Sequence, residues 1–304
     1  MKFHFPNDAP LEERLYRIVN DLGREERNII NNPSGLLRAG LFIEDYWTQL
    51  GLKVKRQSYS VGVADCFNVE AVSDSFCGNQ CPHWLIGAHY DSAPGTPGAD
   101  DNLSALAILL ETSRLLSEVA GSLDKVRFVA FTNEEPPHFL NESMGSRVHA
   151  SACADNGDNV RGMLCLESLG YYSHESGSQE LPEGFEELVR LPNNETLTLD
   201  TTIGNFLALV GDEKSVDFLD AFYSAFAHQS PIPTLPVIAP EMRMSDQFPY
   251  WDVGIPALML TDTALFRNPN YHRPSDLPDT LDYTSMAFIS KRLAESIVKL
   301  ESCI

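Results

Sequence analysis

Residues 84–91, WLIGAHYD, and residues 126–135, VRFVAFTNEE, share one pattern: a nearly unbroken apolar run that stops at histidine or carboxylates. Five or six such residues without polar alternation are what a strand buried on both faces requires. Similar runs lie at residues 163–166, ending in Glu167, at 206–210 and at 257–260. Between them the period changes to that of helices, with Leu103, Leu106, Ala107 and Leu110 in one stretch and Val216, Leu219, Tyr223 and Phe226 in another. Toward the N-terminus, Leu11, Leu15, Ile18 and Leu22 after Pro10, then Leu36, Ile43, Trp47 and Leu50 before Gly51, predict two helices. Leu52 and Val54, followed by Phe67, Val69 and Ala71, alternate as a hairpin does. Met286, Ile289, Leu293, Ile297 and Leu300 close the chain with a helix. Strands that alternate with helices predict an α/β fold, a mostly parallel central mixed sheet flanked by helices on both faces.

The 304 residues are within reach of one large α/β unit, and residues 1–304 read as a single domain. Residues 173–200, rich in Glu, Gly, Ser, Pro and Asn, read as a surface insertion. The chain carries 43 acidic and 22 basic residues, a formal charge of −21, which repels a phosphate backbone and argues against nucleic-acid binding. No window approaches an 18-residue apolar run, so no membrane partner is expected. The opening MKFHFPNDAP has no apolar core of a signal peptide. That favours a cytoplasmic location, with the periplasm or exterior open if a leader was removed. Cys66, Cys77, Cys81, Cys153, Cys165 and Cys303 read first as free thiols. A Cys77–Cys81 disulfide is the alternative in an exported protein. Oligomeric state and side-chain preference are not legible.

In doubly wound sheets, ligands gather outside the carboxyl ends of the strands. There the sequence places His89-Tyr90-Asp91, Gly98-Ala99-Asp100-Asp101-Asn102, Asn133-Glu134-Glu135, Glu167, and a late loop with Tyr271-His272 followed by Pro274 and Asp276. Mixed imidazole and carboxylate donors suit zinc, and a carboxylate that bridges holds two ions. Each piece has a plainer reading: Asp100, Asp101 and Asn102 cap a helix equally well, and a lone histidine at a strand end is more often structural. Glu134-Glu135 resists that reading, because a buried cleft tolerates adjacent carboxylates only with a cation or a shared proton.

From roughly residue 36 to the last helix the sequence resembles the M28 metallopeptidase family, zinc aminopeptidases with two co-catalytic ions. The resemblance is carried by GAHYDS (87–92), PGADDN (97–102), NEEPPHF (133–139) with MGS (144–146), LESLGYYS (166–173) and NYHRPSD (270–276). It implies that His89, Asp100, Glu135, Glu167 and His272 surround two zincs with Asp100 bridging, one ion taking Glu135 and His272, the other His89 and Glu167. Glu167 departs from the aspartate frequent there. Asp91, two residues after His89 on a strand, points to the same side and is expected to orient the imidazole. The resemblance also implies a cis peptide between Asp100 and Asp101, and a substrate peptide with a free N-terminus. Glu134, adjacent to a ligand, is then the base that takes a proton from the shared water, and Tyr271 a candidate donor to the oxyanion. Rival readings are a single-zinc glutaminyl-cyclase-like enzyme, whose pattern has Trp where this chain has Tyr271, a carboxypeptidase-type member, and a binding module that has lost its ligands. The sequence has no GxSxG, HExxH or P-loop motif.

Overall fold

The computed structural model describes residues 9–191, 197–227 and 230–302. The described elements follow in chain order: α1 (Leu11–Leu22), α2 (Pro33–Gln49), β1 (Lys53–Val61), β2 (Ala64–Val72), β3 (His83–His89), α3 (Ala105–Ser117), β4 (Val126–Phe131), α4 (Gly145–Asn156), β5 (Val160–Glu167), α5 (Phe185–Leu188), β6 (Leu207–Gly211), α6 (Val216–Phe226), β7 (Thr234–Ile238), α7 (Phe248–Asp252), β8 (Ala257–Thr261) and α8 (Tyr283–Ser302). Among the described residues eight strands form one mixed sheet in the order β1-β2-β4-β3-β5-β8-β6-β7. Its centre, β4-β3-β5-β8, is parallel, while the β1–β2 hairpin and β6 run antiparallel to their inner neighbours.

Alternate residues of the central strands feed two cores, as the two-residue period of a strand demands. Ile86, Phe128, Leu164 and Leu258 face one core, closed by α1, α2, α3, α6 and α8. Leu85, Val129, Met163 and Met259 face the other, closed by α4, α5 and α7. Helix α3 lies deepest, with Leu106 to Leu110 all at 0% exposure, so it needs no polar face. Helix α1 starts at Pro10, carries Glu12 and Glu13 in its first turn and stops at Gly23. Asn32 caps α2 by accepting the Gly35 N–H at 3.0 Å.

Helix α4 and strand β7 have no counterpart in the sequence reading. GSRVHASACADN buries little more than His149, Ala150 and Cys153, too few apolar residues for a helical stripe. Strand β7 contains Pro236, a residue tolerated in a ladder chiefly at a sheet edge, where β7 lies. Most described residues of 173–200, read as a surface insertion, are exposed or half-buried. Residues 192–196 lie outside the described residues, but Phe185 is buried in the second core and the Glu180 N–H donates to the Phe266 carbonyl. The free-thiol reading of Cys77 and Cys81 is corrected: they form a disulfide with Cα atoms 5.7 Å apart. Cys66, Cys153 and Cys165 are free and buried, and Cys303 lies outside the described residues. No described helix is long and apolar enough to cross a membrane.

Candidate metal centre

The parallel strands β3, β4 and β5 deliver their C-terminal residues to one edge of the sheet. His89 is the last residue of β3 and Glu167 the last of β5, while Glu134 and Glu135 follow β4 after a turn at Asn133, which takes a positive φ of 59°. His272 comes from the loop between β8 and α8, also at positive φ.

These groups converge on Asp101. Its Oδ1 is 3.3 Å from His89 Nε2 and its Oδ2 is 3.0 Å from His272 Nε2. Glu167 Oε2 lies 3.4 Å from His89 Nε2, and Glu135 Oε2 lies 3.1 Å from His272 Nε2. One carboxylate therefore spans two His–Glu pairs, and the groups His89–Asp101–Glu167 and Asp101–Glu135–His272 each bring three donor atoms within 4.8 Å of one another.

The carboxylate that lies between the two His–Glu pairs is Asp101, not the expected Asp100. The Asp100 carboxylate turns away, accepting the Gly170 N–H at 2.9 Å and the Asn268 side-chain amide at 2.7 Å. A Cβ on Gly170 would stand 3.0 Å from Asp100 Oδ1, so that side of the turn has no room for a larger residue. The cis peptide is likewise between Asp101 and Asn102 rather than between Asp100 and Asp101. Two adjacent aspartates give a sequence no sign of which one faces the cleft.

Asp91 sits where orientation of the imidazole was expected, its Oδ1 3.4 Å from His89 Nδ1. It also accepts the backbone N–H groups of Glu134 and Glu135, one on each oxygen and both at 3.2 Å. Glu134 belongs to neither group that shares Asp101, and its Oε2 is 3.8 Å from His89 Nε2. The Tyr271 ring lies flat on the His272 imidazole, centroids 4.0 Å apart. Sequence reasoning missed Ser245, whose hydroxyl donates to Glu167 Oε2 at 2.5 Å, and the fully buried Asp246. Both belong to a segment with no periodic signal. It also missed Arg27, buried between α1 and α2.

The electrostatics ask for cations. Burial and the neighbouring Asp101 push the Glu135 carboxyl up to about 8, and burial with Glu135, Glu167 and Asp246 nearby raises Glu134 well above the carboxylate range. Burial lifts Asp246 to about 7. Burial opposes the charged form of Asp101 too, but His272 and His89 outweigh it and hold this carboxyl below its ordinary value. Against burial, Asp101 and Glu135 raise His272 to about 10. Neither ring nitrogen of His89 nor Glu135 Oε1 has an aligned hydrogen-bond partner, although all three atoms are buried. Unpaired buried donors and acceptors, concentrated where carboxylates outnumber imidazoles, fit divalent ions as the missing partners. Asp, Glu and His without cysteine is a donor set that zinc accepts.

Beside Glu167 and Tyr271 opens a pocket with walls formed by Leu181, Phe185, Val210, Met242, Met259 and Phe266.

A family model described as "Peptidase family M28" matches residues 78–297. The Escherichia coli (strain K12) protein YfbL is 35% identical over 269 residues, covering 84% of this chain and 78% of its own. Among solved structures, the Legionella pneumophila LapA aminopeptidase superposes with a TM-score of 0.70 at 16% identity, over 95% of this chain and 71% of that one. A Porphyromonas gingivalis glutaminyl cyclase superposes with a TM-score of 0.69 at 15% identity, over 96% and 100%. At such identities the likeness speaks to the fold, which aminopeptidase and cyclase share.

Proposed function

Because the chain belongs to peptidase family M28, a family of peptidases, we propose that it is a zinc-dependent aminopeptidase that removes the N-terminal residue of peptides. The observation that carries this reading is the Asp101 carboxylate, shared between a His89–Glu167 pair and a Glu135–His272 pair. Those five side chains would hold two zinc ions. When bound, such ions acidify water and polarise the scissile carbonyl.

The chain's own residues supply the rest. Glu134, outside both groups that share Asp101 and buried among carboxylates, is assigned the base that accepts a proton from water and returns it to the leaving amine. Asp91 holds the backbone of Glu134 and Glu135 and lies beside the His89 ring, which favours one mutual geometry for these groups. Carboxylates in excess of cations suit a free α-ammonium group on the substrate, and the Tyr271 hydroxyl is assigned to the oxyanion. The apolar pocket beside Glu167 is assigned to the side chain of the residue removed. Its Met, Phe, Val and Leu walls favour leucine, methionine or phenylalanine over charged residues. The Cys77–Cys81 disulfide supports an oxidising compartment over the cytoplasm.

The test is a panel of aminoacyl substrates, free and N-acetylated, beside a glutaminyl peptide and with or without chelator. Release of apolar N-terminal residues, lost on acetylation and on chelation, is expected. Cyclisation of the glutaminyl peptide without hydrolysis of the others would replace the reading with the cyclase. Cleavage from the C-terminus alone would replace it with the carboxypeptidase.

A further inference from the structure

The loop that presents Asp101 is gripped from both sides by residues that reach neither His89 nor His272. On one side Asp276 is fully buried and accepts the N–H of Asp100 on Oδ1 at 2.9 Å and that of Asp101 on Oδ2 at 3.3 Å. Its own carbonyl accepts the Ala99 N–H at 3.3 Å. Opposite, the fully buried Arg27 guanidinium donates to the carbonyls of Pro97 and Gly98, and is anchored by the Tyr90 carbonyl at 3.0 Å and that of Leu22 at 3.1 Å. The approach is close enough to exclude a side chain at residue 98: a Cβ on Gly98 would stand 3.1 Å from Arg27 Nη2 and 2.3 Å from the Asp101 carbonyl oxygen. Asp276 is four residues after His272 and closes the next turn, its N–H donating to the Arg273 carbonyl.

We propose that Asp276, with Arg27 as its counterpart, is a positioning residue that sets the Asp101 carboxylate midway between the two His–Glu pairs. The inference rests on the two-zinc reading. Every donor of consecutive amides 100 and 101 ends on one carboxylate, so turning that carboxylate into an amide puts a donor against a donor and tilts the segment that carries Asp101. Because Asp101 serves both positions, its displacement weakens both at once. A ligand that serves one position weakens only that one.

The experiment is zinc titration of metal-stripped protein against a chromophoric chelator, comparing wild type, Asp276→Asn, Glu135→Gln and Glu167→Gln, with circular dichroism of each metal-free chain. Asp276→Asn is expected to lower affinity at both positions in parallel by about 10- to 100-fold, whereas Glu135→Gln and Glu167→Gln each weaken one position more than the other. Two wild-type affinities retained in Asp276→Asn, or loss confined to one position, overturns the proposal and leaves the two-zinc reading intact. A wild type that binds fewer than two ions refutes that reading instead. If Asp276→Asn does not fold, amide exchange of metal-free wild type decides: Asp100 and Asp101 N–H groups protected before zinc is added support the clamp, and free exchange there overturns it.

Discussion

Exchanging Asp100 and Asp101 for asparagine, one at a time, separates two neighbours of identical chemistry. If two zinc ions share Asp101 as proposed, Asp101→Asn removes the negative charge common to both positions and turns one of its two oxygens into an amide nitrogen, so one position loses a donor outright and the other keeps only a neutral carbonyl oxygen. Milder disturbance around a metal ligand costs about 10- to 100-fold in affinity. Applied at both positions, the product is a loss of about 10²- to 10⁴-fold in activity at limiting zinc. Asp100→Asn works on different contacts. Its carboxylate accepts from Gly170 N–H and from the Asn268 amide, and the new amide keeps only one of these bonds. Asn268 cannot turn over to compensate without giving up the bond from the Asn270 N–H to its Oδ1 at 2.9 Å. One buried donor is left unpaired at a cost of about 1–3 kcal/mol, or roughly 2–5 °C in melting temperature for a chain of this size. Zinc content by elemental analysis, kcat/KM and thermal denaturation of both variants form the assay. An Asp100→Asn enzyme that loses zinc, beside an Asp101→Asn enzyme that keeps it, would show that the bridging carboxylate is misassigned.

Glu134→Gln and Glu135→Gln should fail differently: the first keeps its zinc while kcat drops by about 10² to 10⁴, and the second recovers part of its activity when zinc is added. An emptied metal site in Glu134→Gln, measured by equilibrium dialysis, would reverse the pair. Chelation should abolish turnover, and back-titration should restore it fully only after about two equivalents of zinc; full activity at one equivalent counts against the shared carboxylate. Away from the centre, burial lowers the proton affinity of His149, but Cys153 and Glu70 outweigh it and raise the imidazole to about 9. A folded value above the ordinary histidine value near 6.5 means stability that is complete below about pH 6.5 and lost as pH rises through about 9. The melting-temperature gap between wild type and His149→Gln should therefore be wide at pH 6 and narrow at pH 10. A gap independent of pH would mean that folding leaves the proton affinity of His149 unchanged, and a gap narrower at pH 6 than at pH 10 that His149 is held neutral.

The sequence was most informative where burial is two-sided. Apolar runs at 84–88, 126–131 and 257–260 lie within strands whose observed bounds differ by at most a residue or two, because a central strand leaves no choice of face. The runs at 84–88 and 126–131, with that at 163–166, placed His89, Glu134, Glu135 and Glu167 at or just after strand ends. What was not legible depends on backbone path. Asp100 and Asp101 face different ways because of the backbone path through Gly98, at φ of 60°, and the cis peptide after Asp101, and no periodicity reports that. Ser245 reaches Glu167, and Arg27 the loop ahead of Asp101, from segments that are remote in sequence and neither apolar nor repetitive. Helix α4 escaped because its neighbours, rather than its own stripe, give it a buried face.

Arg27 also bears on where the folding unit begins. The matched span opens at residue 78, after α1, α2 and the β1–β2 hairpin. Yet those first elements contribute Leu15, Ile18, Phe42 and Trp47 to the larger core, pair β2 with β4, and supply the guanidinium that holds the carbonyls ahead of Asp101. A fragment cut at the family boundary would expose one flank of the sheet and leave the Pro97–Gly98 carbonyls without their donor. Recombination between relatives would have to carry the N-terminal helices along with the strand-end histidines and carboxylates, since the matched span takes part of its shape from the segment ahead of it.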